Sequence, residues 1–267
     1  RCTLDDHGYT ADPSEMALAE ARSVRGRRYA ALILIATSCS SPEEGGSTTT
    51  SSSTPVGCRQ DLEVEHVWGD RYAYAVAASP TGELFVAGDD GVVGHFDGTA
   101  WSQQVVPGEY PLRALWSANA NHAVAVSDGV TGVVLVWDGT IWSTQALDDT
   151  SDSDGVWGTS PSNVYVTGTR ERGVVLRYDG AWSVAYEHTN AANFSGIWGS
   201  GPDDIFVVSF SGEIVHYDGT GWQTQTSGTT KRLYDVWGSG PSDVFAVGSG
   251  GTVLHYDGTS WSPMMQP

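Results

Sequence analysis

An all-β fold, a five-bladed β-propeller of four-stranded blades, is predicted by three features of this 267-residue sequence. Asp-Gly recurs at Asp97, Asp138, Asp179, Asp218 and Asp257, and a Trp follows each time, at Trp101, Trp142, Trp182, Trp222 and Trp261. A second set, Trp116, Trp157, Trp198 and Trp237, keeps the same step of about 40 residues, the mark of one supersecondary unit copied in tandem. Finally, each unit breaks into four short runs of Val, Phe, Tyr and Trp separated by Gly, Pro, Asp and Ser clusters, with no sustained 3.6-residue apolar period.

The last unit shows each element in turn. Leu233 to Ser239 forms the first strand, Gly240-Pro241-Ser242 a turn, and Asp243 to Gly248 the second strand. Ser249-Gly250-Gly251 then turns into Thr252 to Tyr256, and Asp257-Gly258-Thr259 turns into Ser260 to Met264. Asp-Gly suits a tight hairpin because Gly takes positive φ without steric cost. A sheet that is apolar on both faces cannot stand alone, and copies arranged around an axis bury both faces against their neighbours. Nine of the eleven Trp fall at the two repeated positions, where they are expected to wedge between blades, with sugar-stacking platforms as the alternative. The first unit carries Ala77 at the first Trp position, although its Tyr74 matches Tyr234. Upstream, Leu62 to Trp68 falls where a fourth strand would precede it, and is expected to close the ring with the end of the chain, displacing or flanking the strand that contains Pro263.

The unit Trp-Gly-Ser-Gly-Pro-x-Asp-Val/Ile-Phe followed by Tyr-Asp-Gly-Thr-x-Trp resembles the repeats of secreted bacterial β-propeller and lipoprotein-type proteins. More distantly it resembles Asp-box and kelch blades, and its five short repeats resemble the architecture of tachylectin-type sugar binders. The resemblance covers roughly residues 72 to 267 and implies a fold rather than an activity, since such families include lectins, glycosidases and scaffolds. An Asp-box has Ser before the Asp and one residue between Asp and Gly; here the two are adjacent, so sialidase chemistry does not carry over.

The 13 Lys and Arg against 32 Asp and Glu give a formal charge of −19, a field that repels nucleic acid and anionic head groups. Residues 1–39 are expected to be a signal region: 1–15 an over-extended reading frame, then Met16, the basic Arg22 to Arg28, and the short apolar run Tyr29 to Ala36 ending at Cys39. That order resembles a bacterial lipoprotein signal and implies lipidation at Cys39 and residence at the cell envelope, the outer membrane in particular; an ordinary cleaved signal or a buried strand is the alternative. Residues 40–58, almost wholly Ser, Thr, Gly, Glu and Pro up to Pro55, should be a flexible tether, leaving 59–267 as the propeller domain. The three cysteines, Cys2, Cys39 and Cys58, all precede the repeats.

No nucleophile elbow, zincin or phosphate-loop motif is present, so no cofactor or metal is expected. The recurring Asp of Asp-Gly is expected to bond its own turn, and His95, His216 and His255, at one repeat position, to be satisfied strand residues. In an up-and-down meander the Gly-Pro and Asp-Gly turns share one face and the blade crossings share the other with the second-to-third turns. That second face carries the segments that vary most: Pro107 to Arg113, Leu147 to Asp154, Arg170 to Arg172, Glu187 to Phe194 and Thr226 to Arg232. A monomeric binding module for a glycan or protein is expected there, using Tyr110, Arg170, Arg172, His188, Asn190, Phe194, Lys231 and Arg232. The alternatives are a glycoside hydrolase or lyase with carboxylates such as Asp154 and Asp235 in a central cleft, and an envelope assembly scaffold.

Overall fold

The computed structural model describes residues 72–108, 110–127, 132–147, 151–169, 171–189 and 193–264, and the backbone of 32–35 and 63–67. Two compact units result, Arg1–Arg71 and Tyr72–Pro267. In the first, β1 (Leu32–Ile35), which lies in the apolar run, pairs antiparallel with β2 (Glu63–Val67), Leu32 opposite Val67. The expected seam strand therefore has its partner within its own unit. Cys39, Cys58 and the rest of the expected signal and tether lie outside the described residues.

The second unit consists of five four-stranded antiparallel sheets, each a meander in chain order. The first holds β3 (Ala73–Ala78), β4 (Leu84–Gly88), β5 (Val92–Phe96) and β6 (Trp101–Val105). β7 (Leu112–Asn119), β8 (His122–Ser127), β9 (Val133–Trp137) and β10 (Trp142–Ala146) form the second. The third comprises β11 (Ser151–Ser160), β12 (Asn163–Thr169), β13 (Gly173–Tyr178) and β14 (Trp182–Glu187). β15 (Phe194–Gly201), β16 (Asp204–Ser209), β17 (Ile214–Tyr217) and β18 (Trp222–Gln225) make the fourth, and β19 (Leu233–Gly240), β20 (Asp243–Gly248), β21 (Thr252–Tyr256) and β22 (Trp261–Pro263) the fifth. The chain thus completes its last sheet with its own fourth strand, Pro263 opposite Leu254 on the outer edge where a missing N–H is tolerated.

The second strand of each sheet is apolar on both faces; in β4, for example, Leu84 to Gly88 are all buried. Four hydrophobic clusters follow, each joining one sheet to the next: Phe85 with Leu115 and Trp142, Val126 with Val156 and Val166, Tyr165 with Ile197 and Ile205, Phe206 with Val236 and Trp261. The Trp-Gly pair has a steric origin. A Cβ at Gly158 would lie 3.0 Å from the Trp116 ring, one at Gly199 would lie 2.7 Å from Trp157, and one at Gly238 would lie 2.7 Å from Trp198. Trp116, Trp157 and Trp198 are therefore each seated on the glycine that follows the Trp of the next sheet.

Trp237 departs from the expected wedge. It is 55% exposed, because no core cluster among the described residues places another sheet over it.

A second link runs along the outer strands. The indole N–H groups of Trp142, Trp182 and Trp261 donate to Gln104, Gln145 and Gln225 of the preceding sheet at 2.7, 2.8 and 2.6 Å. In the third sheet the corresponding residue is Tyr186, opposite Val175, and its ring stacks on Trp222 at 5.5 Å. That sheet has one residue fewer in its Asp-Gly turn, where Ala181 alone separates Gly180 from Trp182. It has one extra in β14, where the register shifts between Val175 and Leu176.

Candidate functional site

The regular face is built from turns that satisfy themselves. Asp97 Oδ1 accepts from Thr99 N, Thr99 Oγ1 and Ala100 N at 2.7–2.8 Å. Asp138, Asp218 and Asp257 repeat the arrangement with Thr140, Thr220 and Thr259. The glycines beside them have φ near +90°, 92° at Gly98 and 93° at Gly258. The hydroxyl bond from the turn Thr, with the backbone donors, holds Asp97, Asp218 and Asp257 at about 2. These carboxylates are fastened into scaffold turns.

The strand histidines also belong to the scaffold. His216 stacks on Phe206 at 4.1 Å and its Nε2 lies 2.6 Å from Asp204 Oδ1, while Ser200 Oγ donates to Asp204 Oδ2. His255, Asp243 and Ser239 repeat this in the fifth sheet, with His255 Nε2 2.8 Å from Asp243. The carboxylate stands between Ser and His, so the imidazole is not placed to take the hydroxyl proton as a nucleophile triad requires. In the third sheet Arg177 Nε donates to Asn163, which bonds Thr159, so a chemically different set makes the same bridge. His95 stacks on Phe85 at 4.3 Å, and burial pushes its pKa down. Its Nε2 is buried without a hydrogen-bond partner, so it is packed but not satisfied as the sequence led us to expect.

Asp235 pairs with Val247, in register with Gly155 opposite Thr167 and Gly196 opposite Val208, and Asp154 precedes Gly155 by one residue. The two acids considered for catalysis therefore occupy different positions of the repeat.

On the opposite face, the turn between β16 and β17 and the crossing from β18 to β19 enclose an open groove of about 610 Å³. Ser211, Glu213, Gln225, Thr226, Ser227 and Thr230 are among its lining. The turn wall is rigidly tied: Ser209 Oγ accepts from Glu213 N at 3.0 Å, and Ser211 Oγ donates to Glu213 Oε2 at 2.9 Å. Ser227 Oγ donates across to the Gly212 carbonyl at 2.5 Å, joining the two walls. Two cations follow the groove's last lining residue, Thr230, in the chain. Lys231 N bonds Thr229 Oγ1 at 3.1 Å, and the Arg232 guanidinium lies 5.8 Å from the Phe210 ring centroid. Both side chains are exposed.

Of the expected contact residues, Lys231 and Arg232 directly follow the groove's Thr230 in the chain without belonging to its lining. Phe194 and His188 are corrected: Phe194 is fully buried in the core between the third and fourth sheets, and His188 is 3% exposed, packed against Phe194 and Tyr186. His188 Nε2 lies 3.7 Å from Glu213 Oε2, so it backs the groove rather than lining it. Tyr110 is half-buried in the first crossing, its ring over Gly108, where an added Cβ would meet it at 2.1 Å. Arg172 is exposed on the β12–β13 turn, away from the groove lining. Arg170 and Asn190 lie outside the described residues. Sequence reasoning missed Ser211, Glu213 and Gln225, although a Ser/Thr-rich run in Thr226 to Thr230 marks the crossing they face.

No family model and no curated protein matches the sequence. Solved structures do. YCF48 bound to a D1 peptide is similar with TM-score 0.54 and 18% identity over 76% of this chain and 69% of that one. YCF48 from Cyanidioschyzon merolae is similar with TM-score 0.56 and 17% identity over 73% and 72%. At that identity the likeness speaks for the fold alone, and with the five repeated sheets it makes this chain a β-propeller repeat protein.

Proposed function

We propose that the chain is a protein-binding module whose fourth-repeat groove takes an acidic segment of a partner protein. The carrying observation is a tied, hydroxyl-rich groove followed directly in the chain by Lys231 and Arg232, exposed cations on a protein of net charge −19. A rigid frame with side chains presented from crossing loops favours recognition over turnover. The similar YCF48 structure holds a D1 peptide, which supports a peptide as the class of ligand. A glycan is the second reading, favoured by the hydroxyl and amide groups of the lining, though no aromatic ring lines the groove among the described residues. The proposal includes an address: a lipoprotein signal over 16–39, lipid on Cys39 and a tether over 40–58, carrying the propeller as a monomer at the envelope.

Binding is tested on an acidic-peptide array and a glycan array, with Lys231→Glu/Arg232→Glu as the perturbation. We expect peptide retention to fall at least about tenfold, since each lost charge-assisted contact is worth about 1.5–3 kcal/mol. Retention unchanged by the double reversal, or hits on the glycan array alone, would refute the peptide assignment. For the address, Cys39→Ser in a bacterial host should move the protein from membranes to the soluble fraction and abolish fatty-acid labelling. A wild-type protein already soluble and unlabelled overturns it.

A further inference from the structure

The Trp seats follow a rule that one face of the propeller leaves unfilled. Where a sheet presents Trp116, Trp157 or Trp198, the next sheet offers Gly158, Gly199 or Gly238. Where the first sheet presents Ala77, the residue in register in the second is Ser117. Seat and occupant thus vary together within one chain. Trp237 presents a full indole on the outer face of the fifth sheet, 55% exposed.

The far end of the array is open in the complementary sense. Val76, on the face of the first sheet turned away from the second, is 37% exposed, whereas Leu115, Val156, Ile197 and Val236 in the same register are 3–8% exposed. No core cluster among the described residues joins the fifth sheet to the first. The first sheet also fails the rule, because its seat holds Ala78, opposite Leu84 as Gly238 is opposite Val244.

We propose that the Trp237 face is a docking surface for a further four-stranded sheet of this same Trp-Gly repeat, supplied from outside these five and carrying glycine at the seat. It continues a series of three internal interfaces of one geometry, and the sheet it takes is chosen by the absence of a Cβ. Propellers typically have four to eight blades, so roughly one to three such sheets complete the ring. A second copy of this chain is the poorer fit: its exposed first sheet brings the same Ala78, and two copies joined head to tail would make a ring of about ten sheets, beyond the usual four to eight.

The test extends the full chain after Pro263 with a copy of residues 226–264, whose seat is glycine. Acrylamide quenching of Trp237 is read as the difference between each protein and its Trp237→Phe variant. We expect quenching to drop several-fold on extension, to the level of Trp198, and to return when the copy carries Gly238→Ala. Three outcomes overturn the proposal: Trp237 already shielded in the unextended monomer, shielding that grows with protein concentration, or an extension that shields equally with alanine at the seat. Independently of whether the extension folds, Trp237→Ala in the unextended chain should leave the melting temperature nearly unchanged while Trp198→Ala lowers it. Equal losses also overturn it.

Discussion

Replacing Trp157 by Ala and Gly199 by Ser, singly and together, tests whether the interlocking of adjacent sheets is steric. A Trp buries about 150–250 Å², which at about 25 cal/mol per Å² corresponds to about 4–6 kcal/mol when complete. Trp157 keeps part of its ring exposed, so Trp157→Ala should cost about 3–4 kcal/mol, within the usual range for emptying an aromatic site. For a unit of this size, that lowers the melting temperature by about 6–16 °C. In Gly199→Ser the new Cβ would meet Trp157 at 2.7 Å and the Asp204 carbonyl at 2.6 Å, an overpacking cost of about 1–3 kcal/mol. The two changes should not add. Repeats one and two already carry the equivalent pair, Ala77 and Ser117, so the double variant should recover about 1–2 kcal/mol of the sum. Urea unfolding followed by circular dichroism measures all four proteins. Additivity within about 0.5 kcal/mol would show that indole and seat do not touch in the way described.

The Asp-Gly turns make an acid-stability prediction whose sign is fixed. The folded Asp257 carboxyl sits at about 2 against an ordinary 3.8, so its stabilisation is present above the ordinary value and disappears as pH falls through the folded one. The stability gap between wild type and Asp257→Asn should therefore be constant near neutrality and close between about pH 4 and pH 2; a gap that persists to pH 2 refutes the turn assignment. Gln145→Leu removes the acceptor of the Trp182 indole N–H and should cost about 1–3 kcal/mol by leaving a part-buried donor unmet. A loss under about 0.3 kcal/mol would mean that water serves Trp182 equally well.

The repeating frame was legible because its residues have local reasons to recur. Asp97 and its four counterparts mark turns, and Trp157 with Gly199 marks an interface whose two halves lie in consecutive repeats. What depends on the neighbour could not be read from the repeat itself. Trp237 has the sequence context of Trp198, yet only the presence of a following sheet decides whether it is covered. His188 and Phe194 misled for a different reason. They belong to a variable segment, and variability looks the same whether a residue meets a ligand or begins the next strand's packing, as Phe194 does at the start of β15. The groove was missed because Glu213 lies in the β16–β17 turn and Gln225 at the end of β18, and only the pairing of β17 with β18, Ile214 opposite Gln225, brings them together.

The irregular third repeat shows how tolerant such an array is to length errors. Its turn is one residue short and β14 one residue long, and the two defects cancel within seven residues, returning Tyr186 to the place where its counterparts hold glutamine. The bulge absorbs the slip before it reaches the fourth sheet, which meets a different side chain in an unchanged position and answers with ring stacking instead of a hydrogen bond. An insertion or deletion in one repeat therefore asks for accommodation by one neighbour only. Lineages of this fold can accumulate such slips one repeat at a time, each mended locally, without the whole array having to change in step.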